Sequence, residues 1–116
     1  MSSDSQVSLF TRIIDREIPA RIVFEDEQFI VFHDIAPQAP VHLLIVPKVP
    51  DFRNVVELAA ADPTLMADLV ATAKAMADLH TDGQFRLVFN TGEAAGQTVF
   101  HVHAHLLGGG LAEGTL

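Results

Sequence analysis

Between Arg21 and Lys48 the chain reads "RIVFEDEQFIVFHDIAPQAPVHLLIVPK". Three apolar stretches of strand length are divided only by short polar or proline-bearing turns. Two parallel strands need a connection of a dozen or more residues, and no such length lies between these stretches. They must therefore meet antiparallel. Residues 25–28, "EDEQ", read as the turn of a hairpin. "APQAP" is a proline-punctuated loop, and Pro47 closes the third strand. Two further strands, "FRLVFN" and "VFHVHAHLL", follow a helical stretch. The order helix, three strands, helical stretch, two strands predicts an α+β fold with an antiparallel sheet, not a doubly wound one.

The helices carry their own punctuation. "SLFTRIIDREI" places Leu9, Ile13 and Ile14 at helical spacing and ends at Pro19. Asn54 followed by Glu57 resembles a capping box ahead of "VVELAAA". The long helix starts with Asp62 as cap and Pro63 as first residue, and Gly83 lies just past its end. Leu65, Leu69, Met76 and Leu79 are predicted on its buried stripe, widened by Met66, Val70 and Ala73.

Composition narrows the function. At 116 residues the chain fits one domain, residues 1–116, with 1–7 read as a flexible tail. A formal charge of −8, with only 7 Lys and Arg spread singly, excludes a general phosphate-backbone binder, so no nucleic-acid partner is expected. The absence of cysteine removes disulfides and thiolate chemistry. "MSSDSQVS" lacks the basic and apolar regions of a signal peptide, and no apolar run is long enough to span a bilayer. A cytoplasmic protein with no membrane partner is the expectation.

Chemistry concentrates in "FHVHAHLL", residues 100–107, which holds three of the six histidines. On a regular strand His101, His103 and His105 share one face, while Val102, Ala104 and Leu106 face the core. Neighbouring members then lie roughly 7 Å apart at Cα and the outer pair about 13 Å apart. A single metal could not easily take all three. It would need a further ligand such as His42 and usually a carboxylate, and none is near in sequence. A histidine-rich solvent face is the plain alternative. The catalytic reading has more behind it, because a neutral imidazole is a good nucleophile toward phosphorus and a protonated neighbour a good donor. Crowded histidines should split in pKa into those two roles. The preceding loop, "GEAAGQT", offers Gly92 and Gly96 for close backbone approach, and Gln97 and Thr98 as side-chain donors. No metal and no cofactor are expected.

"HVHAHLL" resembles the signature of the histidine triad (HIT) superfamily, in which three histidines alternate with apolar residues. "FTRIIDREIPARIVFEDEQFIVFHDIAPQAPVHLLIVPK" and "FRLVFNTGEAAGQTVFHVHAHLLGG" are similar to the two halves of its Hint branch, the nucleotide-binding phosphoramidases, across most of residues 10–109. The resemblance implies a five-stranded antiparallel sheet with one long and one or two short helices, continued across a homodimer. It implies a purine nucleotide substrate, an AMP or GMP derivative, cleaved at a P–N bond through a nucleotidyl-histidine on His103. His101 would orient His103 through its backbone carbonyl, His105 would contact the phosphate and assist proton transfer, and His42 would complete the cluster. Asn90, Gly96, Gln97 and Thr98 would hold the phosphate and leaving group. Asp34 matches the acceptor for the ribose hydroxyls, although by its sequence position alone it reads as a turn aspartate. Phe10, Ile13, Ile18, His33, Ile35 and Leu44 match the purine pocket. The chain departs from the branch in having Thr98 where serine is frequent and in lacking a C-terminal tryptophan. Dinucleoside polyphosphates, or nucleotide binding with weak turnover, are the alternatives.

Overall fold

The computed structural model describes residues 7–112. It contains helix α1 (Leu9–Ile14), strands β1 (Ile22–Glu25), β2 (Phe29–His33) and β3 (Val41–Pro47), helices α2 (Val55–Ala61) and α3 (Pro63–His80), then β4 (Arg86–Val88) and β5 (Ala104–Gly108). A single 3₁₀ turn, Glu93–Ala95, lies between the last two strands. The five strands form one sheet in the order β1-β2-β3-β5-β4, antiparallel throughout. The expected α+β class, with one long and two short helices, is what the chain adopts. Most of the tail expected over residues 1–7 lies outside the described residues.

Local chemistry explains the hairpin. Asp26 Oδ1 accepts from the backbone N–H groups of Gln28 and Phe29, at 2.9 and 2.8 Å. That side-chain turn reverses the chain between β1 and β2. Alternation then splits β2 and β3 between two apolar layers. Phe29, Val31, Leu43 and Ile45 pack beneath α3, whereas Ile30, Phe32, Leu44 and Val46 pack against Phe10 and Ile13 of α1. The α3 side is the larger layer and is sealed. The α1 side is covered by a helix of six residues and stays partly open.

Helix α3 starts as its sequence predicts. Asp62 Oδ1 accepts from Leu65 N–H at 3.0 Å, and the Asp62 N–H also closes α2 on Leu58 O at 2.8 Å. Leu65, Leu69, Ala73, Met76 and Ala77 are its buried residues. Leu79 and Val70, expected on or beside this stripe, are 73% and 43% exposed. At about 100° per residue both stand about 90° from the centre of the buried set, on opposite flanks. The capping box before α2 is also modified: Asn54 Oδ1 accepts from Glu57 N–H, but the Glu57 carboxylate turns to the N–H of Arg53.

Two segments read as strand are shorter. "FRLVFN" pairs only over Arg86–Val88, at the sheet edge. "VFHVHAHLL" joins the sheet only from Ala104. Among the described residues, no helix is long and apolar enough to cross a membrane.

Candidate active site

The β3–β5 ladder pairs Ile45 with Ala104, and its register would next set Val46 beside His103 and Pro47 beside Val102. Pro47 has no N–H to give, so the ladder stops. Residues 101–103 are therefore irregular, contrary to the strand expected there. Their contacts replace the ladder. Val102 N–H donates to Phe52 O at 2.9 Å. The His101 ring, 1% exposed, donates from Nε2 to Pro47 O at 2.7 Å.

The three histidines thus differ. His101 points into the protein, between Pro47 and Ser8, and its ring does not line the open pocket. His103 and His105 do line it, with ring centroids 5.2 Å apart. The expected shared face holds, since Phe10 of α1 meets both the His101 and His103 rings while Val102, Ala104 and Leu106 pack into the α3 core. His101 is buried on that face, however, and does not reach the pocket.

The partners fix the tautomers. His103 Nδ1 lies 2.8 Å from His101 O, and a carbonyl only accepts, so Nδ1 carries the proton and Nε2 keeps its lone pair. Gln38 N–H donates to His42 Nδ1 at 3.0 Å. The His42 proton therefore sits on Nε2, which donates to His105 Nδ1 at 2.9 Å. That leaves the His105 proton on Nε2.

The fold also supplies a carboxylate that is remote from the triad in sequence. Asp34 Oδ2 lies 3.4 Å from His42 Nε2 and 3.9 Å from His105 Nδ1, and its Oδ1 accepts from Ala36 N–H at 2.8 Å. Asp34, His42 and His105 are close enough to bind one cation. For His42 to ligate through Nε2, its proton would have to move to Nδ1 and meet the Gln38 N–H head-on. The second contact of a metal-bound histidine is normally an acceptor, and here it is a donor. The arrangement suits a shared proton better than a metal.

Burial holds all four cluster histidines below the ordinary histidine pKa. His105 falls furthest, to about 4, through burial and its neighbours His103 and His42, with Asp34 opposing. Burial likewise lowers His103, against the His101 carbonyl and Asp34. It lowers His42 against Asp34, and His101 against Pro47 O. His33 is lowered by burial, then by Arg21 and His80. The expected split into one neutral and one charged imidazole is therefore absent from the ligand-free protein at neutral pH. A bound phosphate is the kind of charge that would restore a proton to the cluster.

The pocket itself measures about 370 Å³. Its apolar lining includes Phe10, Ile13, Ile18 and Leu44, and it is also lined by His33 and by the fully exposed Ile35. Asp34, Asn90, Gly96, Thr98, His103 and His105 line the same pocket. His42 lies behind His105, buried. Gln97 does not serve as the side-chain donor expected of it. Its Nε2 donates to Arg53 O and Val99 O at 2.6 and 3.0 Å, and its Oε1 accepts from Gly92 N–H at 2.9 Å. A buried amide with both N–H bonds made to backbone carbonyls, one inside the loop and one on Arg53, pins the loop in place and has no donor left for a ligand. Gly96, at φ +95°, makes the left-handed turn that carries the chain into Thr98.

Several contributors had no chemical signal in the sequence. Phe32, Val99 and Pro19 complete the apolar wall. Ser8 and Thr11 reach the His101 ring from α1. Ser8 caps α1 and also bonds a residue 93 positions away, which no local pattern records.

Comparison with known proteins decides the family. Residues 7–114 match the family model described as scavenger mRNA decapping enzyme C-term binding. An uncharacterised HIT-like protein of Synechococcus elongatus is 50% identical over 107 residues, 90% of this chain and 92% of its own. The chain belongs to the histidine triad family. A HIT family hydrolase from Clostridium thermocellum superposes on this HIT protein with TM-score 0.81 at 46% identity, covering 88% of this chain and 90% of the other. A HIT family hydrolase from Legionella pneumophila gives TM-score 0.83 at 43% identity, covering 89% and 93%.

Proposed function

We propose that this HIT protein is a nucleotide-binding hydrolase that cleaves purine nucleoside 5′-phosphoramidates, as the Hint branch does. One observation carries the reading: His103 has its Nδ1 proton held by His101 O, so an unprotonated Nε2 is available in a pocket lined by both apolar and polar residues. In the first step Nε2 attacks the α-phosphorus, the P–N bond breaks, and the departing nitrogen takes a proton. In the second, water attacks the nucleotidyl-histidine, returns a proton to the His42–His105 pair, and breaks the bond from phosphorus to His103 Nε2 to release the nucleoside monophosphate. The His42–His105 pair is the source of the proton. Substrate phosphate raises the affinity of both rings for it, and Asp34 favours the charged state. Purine and ribose lie against Phe10, Ile13, Ile18 and Leu44, with Asp34 lining the same pocket beside His42 and His105.

A second reading also has support, because the matching family model is named for a decapping enzyme. The same nucleophile would then cleave a phosphoanhydride, as in a dinucleoside polyphosphate. Turnover of adenosine 5′-phosphoramidate, diadenosine polyphosphate and acyl-adenylate, each with and without EDTA, separates the two. The phosphoramidate is expected to be the best substrate, with no loss on chelation. A preference for the polyphosphate would select the second reading, and EDTA inactivation reversed by zinc would remove both.

A homodimer belongs to the same proposal. The three-residue β4 lies at the sheet edge, where a second chain could extend the ladder. Sedimentation at micromolar concentration should give twice the 12.6 kDa chain mass. A clean monomer would contradict it.

A further inference from the structure

We infer that Ser8 is a positioning residue for the nucleophile, acting through the buried His101 ring. This rests on the hydrolase reading above. The carbonyl that holds His103 belongs to a segment with no ladder to fix it. Its anchors are Val102 N–H on Phe52 O and the His101 ring, which is bonded at both nitrogens. With Nε2 donating to Pro47 O, Nδ1 must accept, and the Ser8 hydroxyl donates to it at 2.7 Å.

Ser8 is itself fixed. Its Oγ accepts from Thr11 N–H at 3.0 Å as the cap of α1. The same short helix sets Phe10 edge-on to both histidine rings, with centroids 4.8 Å from His103 and 6.1 Å from His101. One hydroxyl therefore ties the docking of α1 to the direction of the carbonyl that keeps His103 in its nucleophilic tautomer. Without it, His101 Nδ1 is a buried acceptor with only the Thr11 hydroxyl nearby, at 3.4 Å. The ring can then turn or change tautomer, and the 101–103 backbone follows.

The test must separate this link from simple loss of the helix cap. Glycine is nearly as good an N-cap as serine, so Ser8→Gly keeps the cap and deletes the hydroxyl. Combining it with Thr11→Val removes the substitute donor. The double variant is expected to bind AMP and to keep KM within about twofold, while kcat for adenosine 5′-phosphoramidate falls about tenfold, the scale of a small misplacement of a reacting group. Ser8→Thr keeps the donor and should recover kcat to within about twofold of wild type. Imidazole 15N–1H spectra without substrate should show one Nδ1–H tautomer for His103 in the wild type and a mixture in the double variant. Wild-type kcat in the double variant, equal losses in kcat and AMP affinity, a Ser8→Thr protein as slow as the double variant, or an unchanged His103 spectrum would each overturn the inference. The spectra need no turnover. A wild type inert toward every substrate would sink the hydrolase reading while the tautomer result still decided the role of Ser8.

Discussion

His103→Ala is expected to fold, to bind AMP and to release no measurable AMP from adenosine 5′-phosphoramidate, with kcat down by at least about 10³-fold, the loss that deleting a covalent nucleophile brings. The protein tolerates the change because His103 is half-buried and its ring contacts are with Phe10, His105 and one carbonyl. Losing that hydrogen bond costs about 1 kcal/mol, which a domain of this size can absorb. The wild type is expected to give a nucleotidyl adduct, trapped by rapid alkaline quench, which spares the acid-labile P–N bond, and located on His103 by peptide mass. Near-normal turnover by His103→Ala, or an adduct on His105, would remove the assignment of the nucleophile.

The second large effect is acid inactivation, and its position on the pH axis is the informative part. An ordinary histidine is half protonated near pH 6.5. Burial lowers His103, so its lone pair survives below that point. The acid limb of kcat/KM should therefore begin below pH 6.5 and then fall about tenfold per unit, since protonation consumes the nucleophile. Asp34 raises the affinity of His42, His103 and His105 for protons, so Asp34→Asn should move this limb to still lower pH. Stability follows the same sign. The unfolded chain binds protons near pH 6.5 and the folded cluster only at lower pH, so the unfolded state holds more protons between. Stability from the neutral cluster is full above about pH 6.5 and is lost as pH falls toward His105's value of about 4. A kcat/KM limb at or above pH 6.5, or one that rises in pH with Asp34→Asn, would show that the lone pair is not protected in this way.

Much of the fold was legible because it is written locally. The turn at Asp26, the Asp62-Pro63 helix start and the alternation in β2 and β3 each need only a few adjacent residues. The failures share a different origin. Alternation put the three histidines on one face, and they are there, but it does not say whether the neighbouring strand can bond, and Pro47 ended the ladder at Ala104, three residues from His101. Gln97 looked like a donor because its type can donate, and its partners in Arg53 and Val99 decide otherwise. Asp34 was placed by resemblance near a ribose. Its proximity to His42 and His105 depends on the β2–β3 and β3–β5 registers together, which no local pattern records. Leu79 was misplaced by arithmetic on a helix whose buried arc is narrower than its apolar one.

Pro47 acts as a ruler. Strand pairing is counted in single residues, and a shift of one exchanges the two faces. By terminating β3 where it does, the imino acid sets which residue first leaves the ladder, and so which side chain turns inward as a rivet and which carbonyl is released to aim an imidazole. Displaced by one position, the same stop would hand the rivet's place to the neighbouring apolar side chain, which has no ring nitrogens to bond. The chemistry of the site is thus counted out from a residue that never touches the pocket.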